Sequence, residues 1–154
     1  MREGRDDEEP RMPAPRTPAT REATASDAVL RRRKRRVAAI CEQYPETVAA
    51  DRYGNEHLSL EVAGKRFGYY LERHFGDDGR SGAVLKAPPG VQEMLVEEDP
   101  DTFWVPAFVG RHGWIGIRLD LEEPDWDGVE DFMRQAWLLS APKRLRGAVE
   151  AREG

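Results

Sequence analysis

Residues 58–71, LSLEVAGKRFGYYL, hold two short runs in which large apolar residues alternate with polar or small ones. The apolar residues of the first run are Leu58, Leu60 and Val62. The second run follows the turn Ala63-Gly64-Lys65, and its apolar residues are Phe67, Tyr69 and Leu71. A period of two is typical of strands with one buried face, and a short turn joins antiparallel neighbours. The stretch therefore predicts an antiparallel hairpin.

More strands are predicted further along the chain. Residues 83–87, which follow a turn-rich loop, are predicted to form a third strand. Ile115, Ile117 and Leu119 alternate with Trp114, Gly116 and Arg118, which indicates another strand with two distinct faces. Residues 103–109 are apolar but contain a proline, so we expect an edge strand or a loop there. Between these runs, Pro88-Pro89-Gly90 begins a short helix.

Two longer segments have the spacing of amphipathic helices. Residues 28–44 follow the candidate caps Ser26 and Asp27, and their apolar stripe is Leu30, Val37, Ile40, Cys41 and Tyr44. Asp125 caps the second helix, whose stripe is Val129, Phe132, Met133, Ala136, Trp137 and Ser140. Pro142 ends or kinks this helix, and residues 143–152 add one or two turns.

The order of these elements predicts the fold class. Short turns, rather than helical crossovers, connect the strands, and crossovers are what parallel strands need. We therefore predict an α+β fold with a single antiparallel sheet and helices packed on one face.

The 154 residues are sufficient for one domain with tails. Residues 1–27 contain four prolines and little that can pack, so we predict a disordered N-terminal tail. The α+β domain is assigned to residues 28–147 and a C-terminal tail to residues 148–154. Residues 1–36 carry a net charge of +4 and residues 37–154 one of −9, so the body is acidic.

Composition excludes several classes of protein. The longest unbroken apolar run, Val37–Cys41, is far shorter than the ~20 residues that span a bilayer. The N-terminal residues have no apolar core of a secretory signal, so we expect a cytoplasmic protein with no membrane partner. A single cysteine excludes a disulfide scaffold.

A set of short motifs resembles the MmcQ/YjbR-like family of small bacterial proteins. The motifs, in chain order, are Gly64-Lys65-Arg66-Phe67, Lys86-Ala87-Pro88-Pro89-Gly90 with Gln92, Phe103, Pro106, Phe108-Val109-Gly110, Gly113-Trp114-Ile115-Gly116-Ile117-Arg118-Leu119-Asp120, Asp125-Trp126 and Ala141-Pro142-Lys143-Arg144-Leu145. The family's usual Pro-Pro-Tyr element is Pro106-Ala107-Phe108 here, and its tyrosine in the last helix is Trp137. The resemblance implies a fold like that of the frataxin/CyaY group and a DNA-binding function with a double-wing arrangement.

Basic residues are the candidate contacts to DNA. Arg31, Arg32, Arg33, Lys34, Arg35 and Arg36 form a continuous block at the edge of the acidic body. Six cations can neutralise several phosphates and release their counterions. Arg66, Arg111, Lys143 and Arg144 add contacts if they share that surface. We expect weak DNA binding of low sequence specificity, since no helix-turn-helix or zinc-finger spacing is present.

Two alternatives remain open. The first is a pocket for a small molecule or an anion on the outer sheet face around Trp114 and Arg118, because Gly116 leaves space between them. Its other candidate residues are His74, Lys86, Phe108 and His112. The second alternative is a protein-interaction module whose tail recruits a partner.

Neither catalysis nor metal binding has support in the sequence. His57, His74 and His112 have no nucleophile at motif spacing, and Cys41 lies on an apolar helix stripe. Acidic runs such as Asp125-Trp126-Asp127-Gly128 lack the remaining ligands of a calcium loop. We therefore expect neither an enzyme nor a cofactor, and the oligomeric state is left open.

Overall fold

The computed structural model describes residues 21–54 and 56–153. Its helices and strands are, in chain order, α1 (Asp27–Glu42), β1 (Thr47–Ala50), β2 (Leu58–Val62), β3 (Lys65–Leu71), β4 (Gly82–Leu85), α2 (Val91–Glu98), β5 (Phe103–Trp104), β6 (Ile115–Arg118), α3 (Trp126–Ser140) and α4 (Lys143–Glu153). Within this described part, none of the helices combines the length and apolar content needed to cross a membrane.

The strands form one sheet in the order β1-β2-β3-β4-β6-β5, and every neighbouring pair is antiparallel. The predicted hairpin of residues 58–71 lies in its middle, and the predicted edge strand is β5. The α+β class is therefore confirmed. The sequence did not predict β1, which pairs with β2 along the other edge of the sheet.

The hairpin departs from simple alternation at one residue. Leu60 pairs with Gly68, whereas Glu61 pairs with Arg66, so Phe67 is an extra residue in β3. Such a bulge places two residues opposite one and changes which side chains share a face. Phe67 and Tyr70 consequently both lie in the main core, while Tyr69 packs against the opposite face of the sheet.

The inner face of the sheet is the face that the helices cover. Side chains of α1, α3 and α4 pack there against β2, β3, β4 and β6. Trp137 of α3 is fully buried, its ring stacks on Tyr44, and its Nε1 donates to Thr47 Oγ1 at 2.8 Å. The helix caps agree with the sequence prediction, since Ser26 accepts from Val29 N and Asp125 accepts from Gly128 N. Helices on one face are therefore confirmed.

Both predicted tails adjoin ordered structure. Residues 1–20 of the predicted disordered tail and Gly154 lie outside the described residues. The backbone N–H groups of Thr24 and Ala25 donate to Asp120 O at 2.8 and 3.1 Å. At the other end, the predicted domain boundary at residue 147 falls inside α4, where Val149 is buried in the main core.

The outer face of the sheet has a second, smaller apolar cluster made of Leu71, Val84, Trp104 and Trp114. Two loops cover it, residues 72–81 and residues 105–113. Each loop contains a short 3-10 turn, Phe75–Asp77 in the first and Val109–His112 in the second. Gln92 of α2 fixes the second loop, because its Nε2 donates to the carbonyl oxygens of Gly110 and Trp114 at 2.8 and 2.6 Å.

Candidate functional site

A pocket of about 330 Å³ opens between the outer sheet face and the two loops that cover it. Its volume lies at the small end of the range for ligand sites, about 300–1,000 Å³. The residues that line it come from the sheet and from three loop segments, and they are Tyr53, His57, Tyr69, Leu71, His74, Asp77, Val84, Pro106, Ala107, Phe108 and Val109. We call this cavity the outer-face pocket.

The floor of the outer-face pocket is apolar. Leu71 and Val84 belong to the same cluster as Trp104 and Trp114. The ring of Tyr69 lies 6.1 Å from that of Trp114. The floor is therefore a packed apolar surface that includes aromatic side chains.

Gly116 does not contribute open space to this site. A Cβ atom at Gly116 would lie 2.5 Å from the indole of Trp104, so that ring already occupies the room that a side chain would take. The predicted gap beside Gly116 is therefore filled by the protein itself, and the open space lies nearer to Tyr69.

A buried carboxylate, Asp77, holds one wall of the pocket. Its Oδ1 accepts from Trp104 Nε1 at 2.9 Å and from Ala107 N at 2.7 Å. Its Oδ2 lies 2.8 Å from His74 Nδ1. Burial raises the pKa of Asp77, but the hydrogen bonds from His74, Trp104 and Ala107 outweigh it and leave the pKa below its ordinary value. Asp77 is therefore ionised, and it joins both covering loops to the sheet.

A second imidazole, His57, lies beside His74. The two ring centroids are 5.5 Å apart at an interplanar angle of 77°. Glu72 N donates to His57 Nδ1 at 3.0 Å, so in the neutral ring the proton is on Nε2. Burial lowers the pKa of His57. His57 is therefore a neutral polar group in the pocket wall.

The rim of the pocket carries exposed aromatic side chains. Phe108 is 51% exposed and Tyr53 is 48% exposed. Phe108 has φ 66° and ψ −70°, and Val109 N donates to Ala107 O at 2.7 Å across it. This is a γ-turn of the strained kind, which costs about 1–3 kcal/mol in a non-glycine residue. Strain of this kind clusters at ligand sites, where the surrounding structure maintains it.

The structure places three of the six predicted pocket residues at the outer-face pocket. His74 and Phe108 line the outer-face pocket, and Trp114 supports its floor from below. Lys86 is half-buried at the end of β4, and burial with the nearby Lys65 lowers its pKa. Neither it nor the exposed His112 is among the lining residues that the structure describes.

Arg118 has a structural role instead. Its guanidinium is buried and forms two hydrogen bonds to the Asp120 carboxylate, at 2.8 and 3.1 Å. Its Nη1 also donates to Arg21 O at 2.7 Å. Arg118 thus attaches residues 21–25 to the end of β6, and its charge is already neutralised.

The cations of the block 31–36 differ in their surroundings. Arg33 Nη1 donates to the carbonyl oxygens of Leu119 and Leu121 at 2.9 and 2.7 Å, which fixes α1 to the end of β6. Lys34 Nζ lies 3.7 Å from a Glu56 carboxylate oxygen. The guanidinium of Arg36 lies 4.4 Å from the centre of a Trp126 ring. These three side chains are engaged in the fold.

Arg31, Arg32 and Arg35 are exposed, and no described residue forms a hydrogen bond or an ion pair with their side chains. Arg32 also lines a shallow groove of about 480 Å³ between α1 and the start of α3. The groove's other lining residues are Val29, Arg33, Arg36, Glu123 and Trp126. We call the three exposed arginines the α1 arginines.

The remaining predicted DNA contacts lie elsewhere. Arg66 donates to Ser59 and to Tyr69 on the outer face, the opposite side of the sheet from α1. Arg111 is exposed in the loop over the outer face, and Lys143 is exposed at the start of α4. Arg144 forms a bidentate ion pair with Glu46 at 2.7 and 2.9 Å. Arg66 and Arg111 therefore do not share the surface of the block 31–36, as a joint contact with DNA would require.

No metal site emerges from the described part of the chain, where no three histidine, cysteine or acidic side chains come together as a possible ligand set. Cys41 is buried in the main core, and burial raises the pKa of its thiol to about 12.

Comparison with known proteins places this α+β chain in a family. Residues 42–139 match the YjbR family, and because this is more than half of the chain, the chain belongs to that family. The crystal structure of the Deinococcus radiodurans protein DR2400, described with a DUF419 domain, is similar with a TM-score of 0.57 at 17% identity. The similarity covers 74% of this chain and 85% of that one, and it shows a shared fold. A search of curated proteins gave no match.

Proposed function

We propose that the protein binds a small organic molecule in the outer-face pocket. The observation that carries this proposal is the combination of a packed apolar floor with the pair of buried Asp77 and half-buried His74 at one wall. Ligand sites typically consist of a mostly apolar cavity with a few fixed polar groups. Phe108, held exposed at the rim in a strained turn, supplies an additional contact surface.

Protein-detected NMR of the full chain with a library of small aromatic and aliphatic compounds tests the proposal. We expect binders whose shift changes centre on the lining residues. Phe108→Ala removes one aromatic wall and should weaken these binders about tenfold, in line with the one to two kcal/mol that burying such a side chain contributes.

Phe75→Ala is the matched control, because Phe75 is 74% exposed in the neighbouring loop and does not line the pocket. It should leave the affinities unchanged. A library without binders, or binders that shift residues away from the pocket, would contradict the proposal.

A second candidate function is weak, non-specific contact of the α1 arginines with DNA phosphates. It is supported by the exposure of these three side chains and their lack of partners among the described residues. The acidic charge of residues 37–154 repels DNA, which confines any contact to this helix. Arg66 and Arg111 lie on the other face of the sheet, and Arg144 is paired with Glu46. The expected affinity for DNA therefore stays in the non-specific range, at a Kd of about 10⁻⁴–10⁻⁶ M.

Two double variants with the same change in net charge test this candidate. Arg31→Gln with Arg35→Gln removes two α1 arginines, whereas Arg111→Gln with Lys143→Gln removes two exposed cations elsewhere. If α1 holds DNA, the first double variant should reduce the slope of log affinity against log salt by about 1.8, and the second should not. Equal losses in both variants would reject a site on α1.

A further inference from the structure

The lining of the outer-face pocket also restricts the chemistry of its ligand, provided that the proposed binding function holds. Its polar side chains are His57, His74, Asp77 and the two tyrosines. The remaining described lining residues are apolar, and no arginine or lysine is among them. A ligand anion would therefore lie near the ionised Asp77 with no arginine or lysine among the described lining residues to compensate its charge.

The hydrogen bonds of Asp77 fix the proton on His74. Because Asp77 is ionised, its Oδ2 can only accept, so His74 Nδ1 carries the proton in their 2.8 Å contact. In the neutral form of the His74 ring, this contact uses the Nδ1 proton and leaves Nε2 as an acceptor. No described residue donates to this nitrogen, although His74 lines the pocket.

The shape of the pocket favours a flat body. Tyr69 packs on Trp114 at the floor, while Tyr53 and Phe108 expose their rings at the rim. Aromatic faces contact planar rings with the largest area for their size. A volume of about 330 Å³ has room for one or two fused rings.

From these three features we infer that the outer-face pocket binds an uncharged, planar, one- or two-ring ligand that donates an N–H or O–H hydrogen bond to His74 Nε2. The ligand's ring lies against the aromatic side chains, and its donor points at the wall that Asp77 holds in place. His74 is thus a specificity-determining residue whose tautomer is set by Asp77 and whose remaining ring nitrogen is left for the ligand.

The experiment uses indole, 1-methylindole and benzoate as probes, with affinities from NMR titration of the full chain. Indole donates one N–H, 1-methylindole has the same ring without the donor, and benzoate is a planar anion. We expect indole to bind about fivefold to tenfold more tightly than 1-methylindole, the effect of one hydrogen bond. Benzoate should bind more weakly than both. In His74→Ala the preference for indole over 1-methylindole should disappear.

The outcomes separate the two proposals. If aromatic probes bind in the pocket but 1-methylindole equals indole, or benzoate binds best, the inferred ligand chemistry is wrong and the binding function stands. If neither the three probes nor the compound library shifts the lining residues, the binding function itself fails. The comparison of probes needs only the wild-type chain, so it does not depend on the folding of His74→Ala.

Discussion

The inner face of the sheet is covered by helices and apolar side chains, whereas loops cover the outer face and charged groups are buried beneath them. Among the described residues, the charged residues that are buried as a whole lie on the outer face or in the loop over it, and they are Glu61, Asp77, Arg80, Arg118 and Asp120. These charges have hydrogen-bond partners, which offset the cost of burying them, but such pairs add less net stability than packed apolar side chains do. The difference indicates that stability comes mainly from the inner face, and the outer face is the one where we propose that a ligand binds.

The largest expected effect is on the inner face. Trp137→Ala removes a fully buried indole that stacks on Tyr44 and donates to Thr47, so we expect a loss of about 3–5 kcal/mol in the free energy of unfolding. Denaturant unfolding measures it. Phe75→Ala makes the same kind of truncation at an exposed outer-face position and should change stability by about 0.5 kcal/mol or less. Similar losses of unfolding free energy in both variants would contradict the claim that stability comes mainly from the inner face.

A smaller effect is expected where the outer face is tightly packed. Gly116→Ala forces a methyl group to within 2.5 Å of the Trp104 ring and should cost about 1–3 kcal/mol. Gly147→Ala, in α4, is the matched control. Beyond its chain neighbours and the backbone of its own helix, no atom lies within 4 Å of the added Cβ, so the substitution should stabilise the helix by up to about 1 kcal/mol. Thermal unfolding that shows the same sign for both substitutions would contradict this packing.

The smallest effect concerns a buried carboxylate on the outer face. A bidentate hydrogen bond from Arg52, with a further bond from Ser59, lowers the pKa of Glu61 to about 2. A lowered pKa adds stability above the ordinary value of 4.5 that is lost as the pH falls towards 2. We expect about 1–2 kcal/mol, because Arg52 is half-exposed and solvent screens the pair.

Unfolding of wild type and Glu61→Gln between pH 6 and pH 2 checks this sign. The two stabilities should converge on acidification. A difference that stays constant with pH would show that the carboxylate's charge contributes nothing.

The residues buried at the inner face could be predicted from periodicity, because the spacing of apolar residues within each helix or strand determines which side is buried. The stripe of Leu30, Val37, Ile40 and Cys41 on α1 is buried as its spacing requires. β1 was missed because TVAA is four residues long with only one large apolar side chain, and its pairing with β2 is what makes it a strand. Burial of Val149 likewise depends on contacts with distant parts of the chain.

The outer-face pocket was predicted only in part, because it too depends on contacts between residues that are distant in the sequence. The alternation in β6 placed Trp114 on the face opposite Ile115, and His74 and Phe108 were named as neighbours. Tyr53, His57 and Asp77 lie in loops without periodicity, so no local pattern indicates that they meet. A weak signal was available in Asp77, whose run of glycines and acidic residues indicates a tight turn next to His74.

The bulge at Phe67 has a consequence for aligning this chain with its relatives. The extra residue is what sends Tyr69 to the outer-face pocket and Tyr70, its immediate neighbour, into the main core. A gap misplaced by one position would equate a pocket residue with a core residue, and two adjacent tyrosines give no warning of the error. Homologues are therefore best matched in this strand by the fixed pairs Leu60–Gly68 and Glu61–Arg66 before any conserved aromatic is interpreted as a binding residue.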